Sequence, residues 1–241
     1  MSEYVCAVDL AQRRDWTWWL ALRDRVDIVD GSHISQRPDR ILHYYDVVWL
    51  DKVQNAKYSE IVETTDGLMM DNELRNNCDL IVDGTGVGVA VTEMMREAHL
   101  NPLPIIFTGG QAVHEVFTEP IAQGARGFRG MPALKEIHVP KQDLVAAGRK
   151  IIEQGRIGVC KGIKYADELK AQLMAFRGKL KENKHLSFEA ATESDHDDAV
   201  CALLMAAWWT TYSRPRDRER ERPIFSKRVN TADWEPMDYL A

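Results

Sequence analysis

An α/β fold built on a mixed sheet is what this sequence predicts, on three observations. Through the second half, short β-favouring stretches alternate with amphipathic ones ("DLIVDGTG", then "VAVTEMMREAH", then "PIIFTGG"). That is the pattern of strands covered by helices on both faces. Ahead of them lie stretches rich in Trp, Val, Ile and Tyr, separated by turn formers, the pattern of an antiparallel meander. Finally, 241 residues with 45% hydrophobic content suffice for one substantial core, whereas two full domains would be cramped.

Taken in order, "YVCAVDLA" reads as a buried strand ending near Asp9. "WTWWLALR" with "RVDIVDGSHIS", then "RILHYYDVVWL", supply the meander, and "SEIVETTDGLMMDNELRNN" has a helical mixture with an apolar face. The alternation follows, with "LIVDG" ending a strand at Asp83. From Thr118 to Pro132, "TEPIAQGARGFRGMP" is glycine-rich and reads as a loop or hairpin carrying Arg126 and Arg129. Helix "QDLVAAGRKIIEQ", strand "RIGVC", helix "YADELKAQLMAFRGK", strand "LSFEA" and a last helix opening at "HDDAVCALLMAAWW" complete the chain. Residues 1–212 are expected to form one domain and 213–241 a charged tail, whose "RPRDRERERPIFSKR" holds seven basic and three acidic residues.

Composition excludes several classes. The longest apolar run, Ala199 to Trp209, is shorter than the roughly 20 residues of a membrane span. Met1-Ser2-Glu3-Tyr4 lacks the charged and apolar regions of a signal peptide. A soluble, intracellular protein without a membrane partner is therefore expected. Cys6, Cys78, Cys160 and Cys201 are far apart with no CxxC pair, which points to reduced thiols rather than a zinc site or disulfide framework. A net charge of −6 argues against a general nucleic-acid coat. "DGTGVGVAV" fails the dinucleotide fingerprint, because Val89 stands where the third glycine belongs. There is no Gly-Lys-Ser/Thr of a P-loop, no HExxH and no Gly-x-Ser-x-Gly.

The acids carry the chemistry. Asp9 and Asp83 each end an apolar strand, where a carboxylate is costly to bury without a cation. Ligands of α/β sheets gather at the carboxyl ends of parallel strands, so two such acids can converge. Asp197 and Asp198 open the last helix. Three or four carboxylates in one place repel one another, and hard divalent cations relieve that repulsion. The plainer alternative is that Asp9 and Asp83 form turns, while Ser194 and Asp197 cap the helix and oppose its dipole. The tryptophans Trp16, Trp18, Trp19, Trp208 and Trp209 are expected in the core and at interfaces rather than as base-stacking platforms.

In their order and spacing, "AVDLAQRRDWT", "LIVDGTGVG", "PIIFTGG", "VPKQDLVAAGRKIIEQGRI", "DELKAQLMAF" and "HDDAVCALLMA" resemble the nuclease domain of the large terminase subunit of tailed bacteriophages, a member of the RNase H-like superfamily. The resemblance runs from about Tyr4 to Trp209. It implies an RNase H-like mixed central sheet, with an antiparallel three-stranded start and a parallel continuation, flanked by helices. It also implies a metal-dependent endonuclease that cuts double-stranded DNA during viral genome packaging, in the cytoplasm of the infected host cell.

By position, the resemblance makes Asp9, Asp83 and Asp198 catalytic, and Asp9, Asp83, Asp197 and Asp198 ligands of two Mg²⁺ or Mn²⁺ ions, with Asp9 bridging them. Asp15 and His196 would stand beside the ligands without touching metal, and Arg126, Arg129 and Lys141 would contact DNA. The implied partners are a packaging ATPase motor, the small terminase subunit and the portal protein. No ATPase motif precedes the first strand, so translocation would depend on a motor in another chain or in a longer parent protein. Two alternatives share the acids: another RNase H-like nuclease such as a junction resolvase, and a non-catalytic packaging or portal-binding module.

Overall fold

The computed structural model describes residues 2–10, 16–29, 40–110, 112–118, 134–182, 198–213 and 234–236. They form a nine-stranded mixed sheet in the order β6-β7-β5-β4-β1-β2-β3-β8-β9. The strands are β1 (Tyr4–Asp9), β2 (Trp16–Val29), β3 (Arg40–Gln54), β4 (Cys78–Asp83), β5 (Pro102–Thr108), β6 (His114–Thr118), β7 (Leu134–Pro140), β8 (Ile157–Cys160) and β9 (Trp234–Pro236). The helices among these residues are α1 (Tyr58–Met69), α2 (Gly88–Glu97), α3 (Lys141–Glu153), α4 (Ala166–Glu182) and α5 (Asp198–Tyr212).

The expected α/β architecture is present. β1, β2 and β3 pair antiparallel in sequence, while β1, β4, β5 and β7 continue parallel, an arrangement compatible with an RNase H-like fold. β1 is the centre of this arrangement because its side chains are apolar on both faces. Val5 and Ala7 enter the core shared with α3, α4 and α5, whereas Cys6 and Val8 enter the core shared with α1 and α2. Burial of both faces removes the polar alternation of a surface strand. Among the described residues, no helix is long and apolar enough to cross a membrane.

α5 is apolar on nearly every side, from Ala199 to Trp208, and such a helix is stable only when enclosed. It lies across β1 and β2 and packs against α3 and α4. Gly148 of α3 makes the approach possible, since a Cβ there would stand 2.2 Å from Leu204 Cδ2.

As expected of the meander, "WTWWLALR" and the "RVDIV" that follows it lie in one continuous strand, β2, paired antiparallel with β3. Its charged middle is paired across the ladder: Asp46 Oδ2 accepts from Arg23 and Arg25, and His43 pairs with Asp24. β6 and β7 flank the glycine-rich segment and pair antiparallel, giving the arms of a hairpin. β9 adds a strand from the tail segment, antiparallel to β8, where none was expected. "LSFEA" lies outside the described residues. The cysteines are free thiols, as expected; burial pushes Cys6 well up and Cys78 to about 12.

Candidate functional site

Register brings the first two acids together. β1 and β4 run parallel with Val8 opposite Val82, so Asp9 and Asp83 occupy the next step. Neighbouring strands lie about 4.8 Å apart, and side chains at matched positions share a face. Ala7 and Ile81, two residues before each acid, both belong to the core beneath α5, so Asp9 and Asp83 stand on the α5 side. Both are partly exposed.

Asp198 reaches the same end of the sheet. It opens α5, where a carboxylate opposes the helix dipole. Its Oδ2 accepts the backbone N–H of Trp16 at 3.3 Å, two residues before Trp18, the residue opposite Asp9. The far end of α5 is fixed by the Trp209 indole, which donates to Asp79 Oδ2 at 2.8 Å. Eleven residues of helix rise about 16 Å, and the four strand steps from Asp79 to Asp83 span about 13 Å. A helix anchored at Asp79 by its carboxyl end therefore presents Asp198 near the level of Asp83.

Local structure after β4 holds Asp83 in place. Asp83 Oδ1 accepts the Thr85 N–H at 2.8 Å, Phe107 N–H donates to Thr85 Oγ1, and Gly84 N–H donates to the Ile105 carbonyl. The glycines of "DGTGVG" serve this turn. Gly86 has φ 60, and a Cβ on Gly88 would meet the Asp83 carbonyl oxygen at 1.9 Å. Gly88→Ala gives the sign of this effect: a helical glycine replaced by alanine ordinarily gains up to about 1 kcal/mol, whereas here the overpacked backbone should cost about 1–3 kcal/mol. Urea unfolding reads the difference directly.

Electrostatics single out Asp83. Burial pushes its carboxyl up, against hydrogen bonds from Thr85 and the nearby Lys141 ammonium, both of which pull it down. Lys141, the first residue of α3, thus lies near enough to Asp83 for its charge to be felt there. On the other side of Asp9, Trp18 is wholly buried, and its indole N–H has no hydrogen-bond acceptor among the described residues.

Asp9, Asp83, Asp198 and Lys141 are thus gathered at one end of the sheet. Asp15, Asp197, His196, Arg126 and Arg129 lie outside the described residues. Among the described residues, no three His, Cys, Asp or Glu side chains stand close enough together to hold a metal ion. The donor chemistry of Asp9 and Asp83 fits a hard cation, being two carboxylates on adjacent strands, one of them with its charge opposed by burial. Asp198 remains engaged by Trp16. Sequence reasoning did not single out Thr85, Trp16 as a backbone donor, or Gln172, whose Oε1 accepts the Ala199 N–H at 3.2 Å. Only the "DGTG" turn carried any signal for them, since an Asx turn is common in that composition. No protein-family model matches the chain, and neither a curated protein nor a solved structure does.

Proposed function

We propose that this protein is a divalent-metal-dependent endonuclease that hydrolyses phosphodiester bonds of double-stranded DNA. The observation that carries the proposal is the in-register placement of Asp9 and Asp83 on the α5 face of the central strands, with Asp198 at the same end. Mg²⁺ or Mn²⁺, when bound, would activate water and stabilise the departing oxygen. Asp9 and Asp83 would hold it, with Asp198 completing the oxygen set once its carboxylate turns from the Trp16 N–H. The chain's own groups do the rest. Thr85 holds the Asp83 carboxylate, and the Lys141 ammonium lowers the cost of keeping Asp83 ionised. When a cation takes over that task, Lys141 is available to a phosphate oxygen of the substrate. Arg126, Arg129 and the arginine-rich tail supply the attraction for a polyanion that the net charge of −6 lacks.

By the resemblance of its motifs, the reaction belongs to viral genome packaging in the host cytoplasm, with a packaging ATPase motor, the small terminase subunit and the portal protein as partners. A second reading is a non-catalytic packaging or portal-binding module. It is favoured by the Asp198–Trp16 contact and by the want of a three-acid group among the described residues. Cleavage of linear, supercoiled and branched DNA with and without Mn²⁺ separates the readings. Cutting of linear duplex supports the proposal, preference for branched DNA favours a junction resolvase, and no cutting of any substrate leaves the binding module.

A further inference from the structure

We infer that Lys52 is a positioning residue for Asp198, acting through two arms that both end on the first turn of α5. Its consequence for cleavage rests on the nuclease reading above. Lys52 is directly opposite Trp18 in the β2–β3 ladder, and Trp18 is opposite Asp9, so Lys52, Trp18, Asp9 and Asp83 form one row across the sheet. Its ammonium stands 4.2 Å from the Trp16 ring centroid and 5.0 Å from those of Trp18 and Tyr165. It also donates to both Glu168 oxygens, at 2.7 and 2.6 Å. A lysine side chain only 12% exposed, enclosed by three rings and a carboxylate, is held far more firmly than a surface ion pair.

The first arm runs through β2. Lys52 fixes the Trp16 ring, and the Trp16 backbone N–H holds Asp198 Oδ2. The second runs through α4. Glu168 grips Lys52, and Gln172, one helical turn further on, accepts the Ala199 N–H. β3, β2 and α4 are thereby tied at the point where α5 begins. A carboxylate that must meet others from separate elements needs such support.

Lys52→Met keeps the stem and removes the charge, Lys52→Arg keeps the charge, and Glu168→Gln loosens the clamp more gently should Lys52→Met fail to fold. Amide hydrogen exchange is read at Trp16 and Ala199, with Val82 and Ile105 as internal references, alongside the Mn²⁺ concentration giving half-maximal DNA cleavage. Loss of protection by about tenfold at Trp16 and Ala199 alone, partly restored in Lys52→Arg, is expected. A raised Mn²⁺ midpoint should accompany it. Unchanged protection at both amides in Lys52→Met, or in Glu168→Gln if that is the variant that folds, overturns the inference, as does an equal loss at Val82 and Ile105. If the wild-type protein cleaves no DNA, the nuclease reading fails, and amide exchange still decides the role of Lys52.

Discussion

Asp83→Asn is expected to abolish Mn²⁺-dependent cleavage of duplex DNA while leaving the metal-free protein at least as stable as the wild type. The two halves of this result have one cause. Burial opposes the charge of Asp83, so the folded state tolerates a neutral side chain there better than an ionised one. Asparagine keeps the oxygen that accepts the Thr85 N–H, so the turn between β4 and α2 survives. What it loses is a negative donor for a hard cation, and with it about 10³-fold or more in rate, the scale on which loss of a group acting in the transition state lowers kcat and kcat/KM together. Asp9→Asn should behave in the same way toward cleavage. Cleavage rates paired with thermal unfolding check both halves; retained cutting refutes the assignment, and a collapse of stability would make Asp83 structural.

The second large effect is a coupling of metal, pH and stability. The folded-state pKa of Asp83 is raised, so its contribution to stability is fully present below the ordinary carboxylate value and is lost as pH rises through the raised one. A cation competes with that proton and restores what ionisation removes. Mn²⁺ should therefore stabilise little at pH below the ordinary carboxylate range and most above the raised value. At a hundred times the dissociation constant the gain is about 2.7 kcal/mol, or roughly 5–10 °C in Tm for a domain of this size. Differential scanning fluorimetry across pH, with and without Mn²⁺, measures it. Asp83→Asn should flatten both the pH dependence and the metal response, whereas a pH-independent metal response in the wild type would place the ion elsewhere.

The strands nearest the site were the most legible in the sequence because their signals are local. "YVCAVD" and "LIVD" are apolar throughout, as strands buried on both faces must be, and each ends on an acid whose cost of burial marks it as purposeful. The final helix was legible for the same reason, its apolar residues leaving no solvent face. What could not be read depends on residues distant in the chain. The charges in the middle of β2 find their partners in Asp46 and His43 of β3, a pairing that no local pattern announces. β6 and β9 are short edge elements that exist by virtue of the strand beside them. Lys52 and Glu168 lie 116 residues apart, and nothing in either neighbourhood announces the other. The convergence of Asp9 and Asp83 was inferable from strand order, whereas Asp198 needed α5 to be laid across β1 and β2 before its level could be fixed.

The proposed reaction requires a cation held by the carboxylates at the carboxyl ends of β1 and β4. Anomalous diffraction from crystals grown with Mn²⁺ tests this most directly. A peak within coordination distance of both Asp9 and Asp83 oxygens, with Asp198 turned from the Trp16 N–H toward it, is the predicted result. Density between these acids that shows no anomalous signal, with the Asp198–Trp16 contact intact, would contradict it.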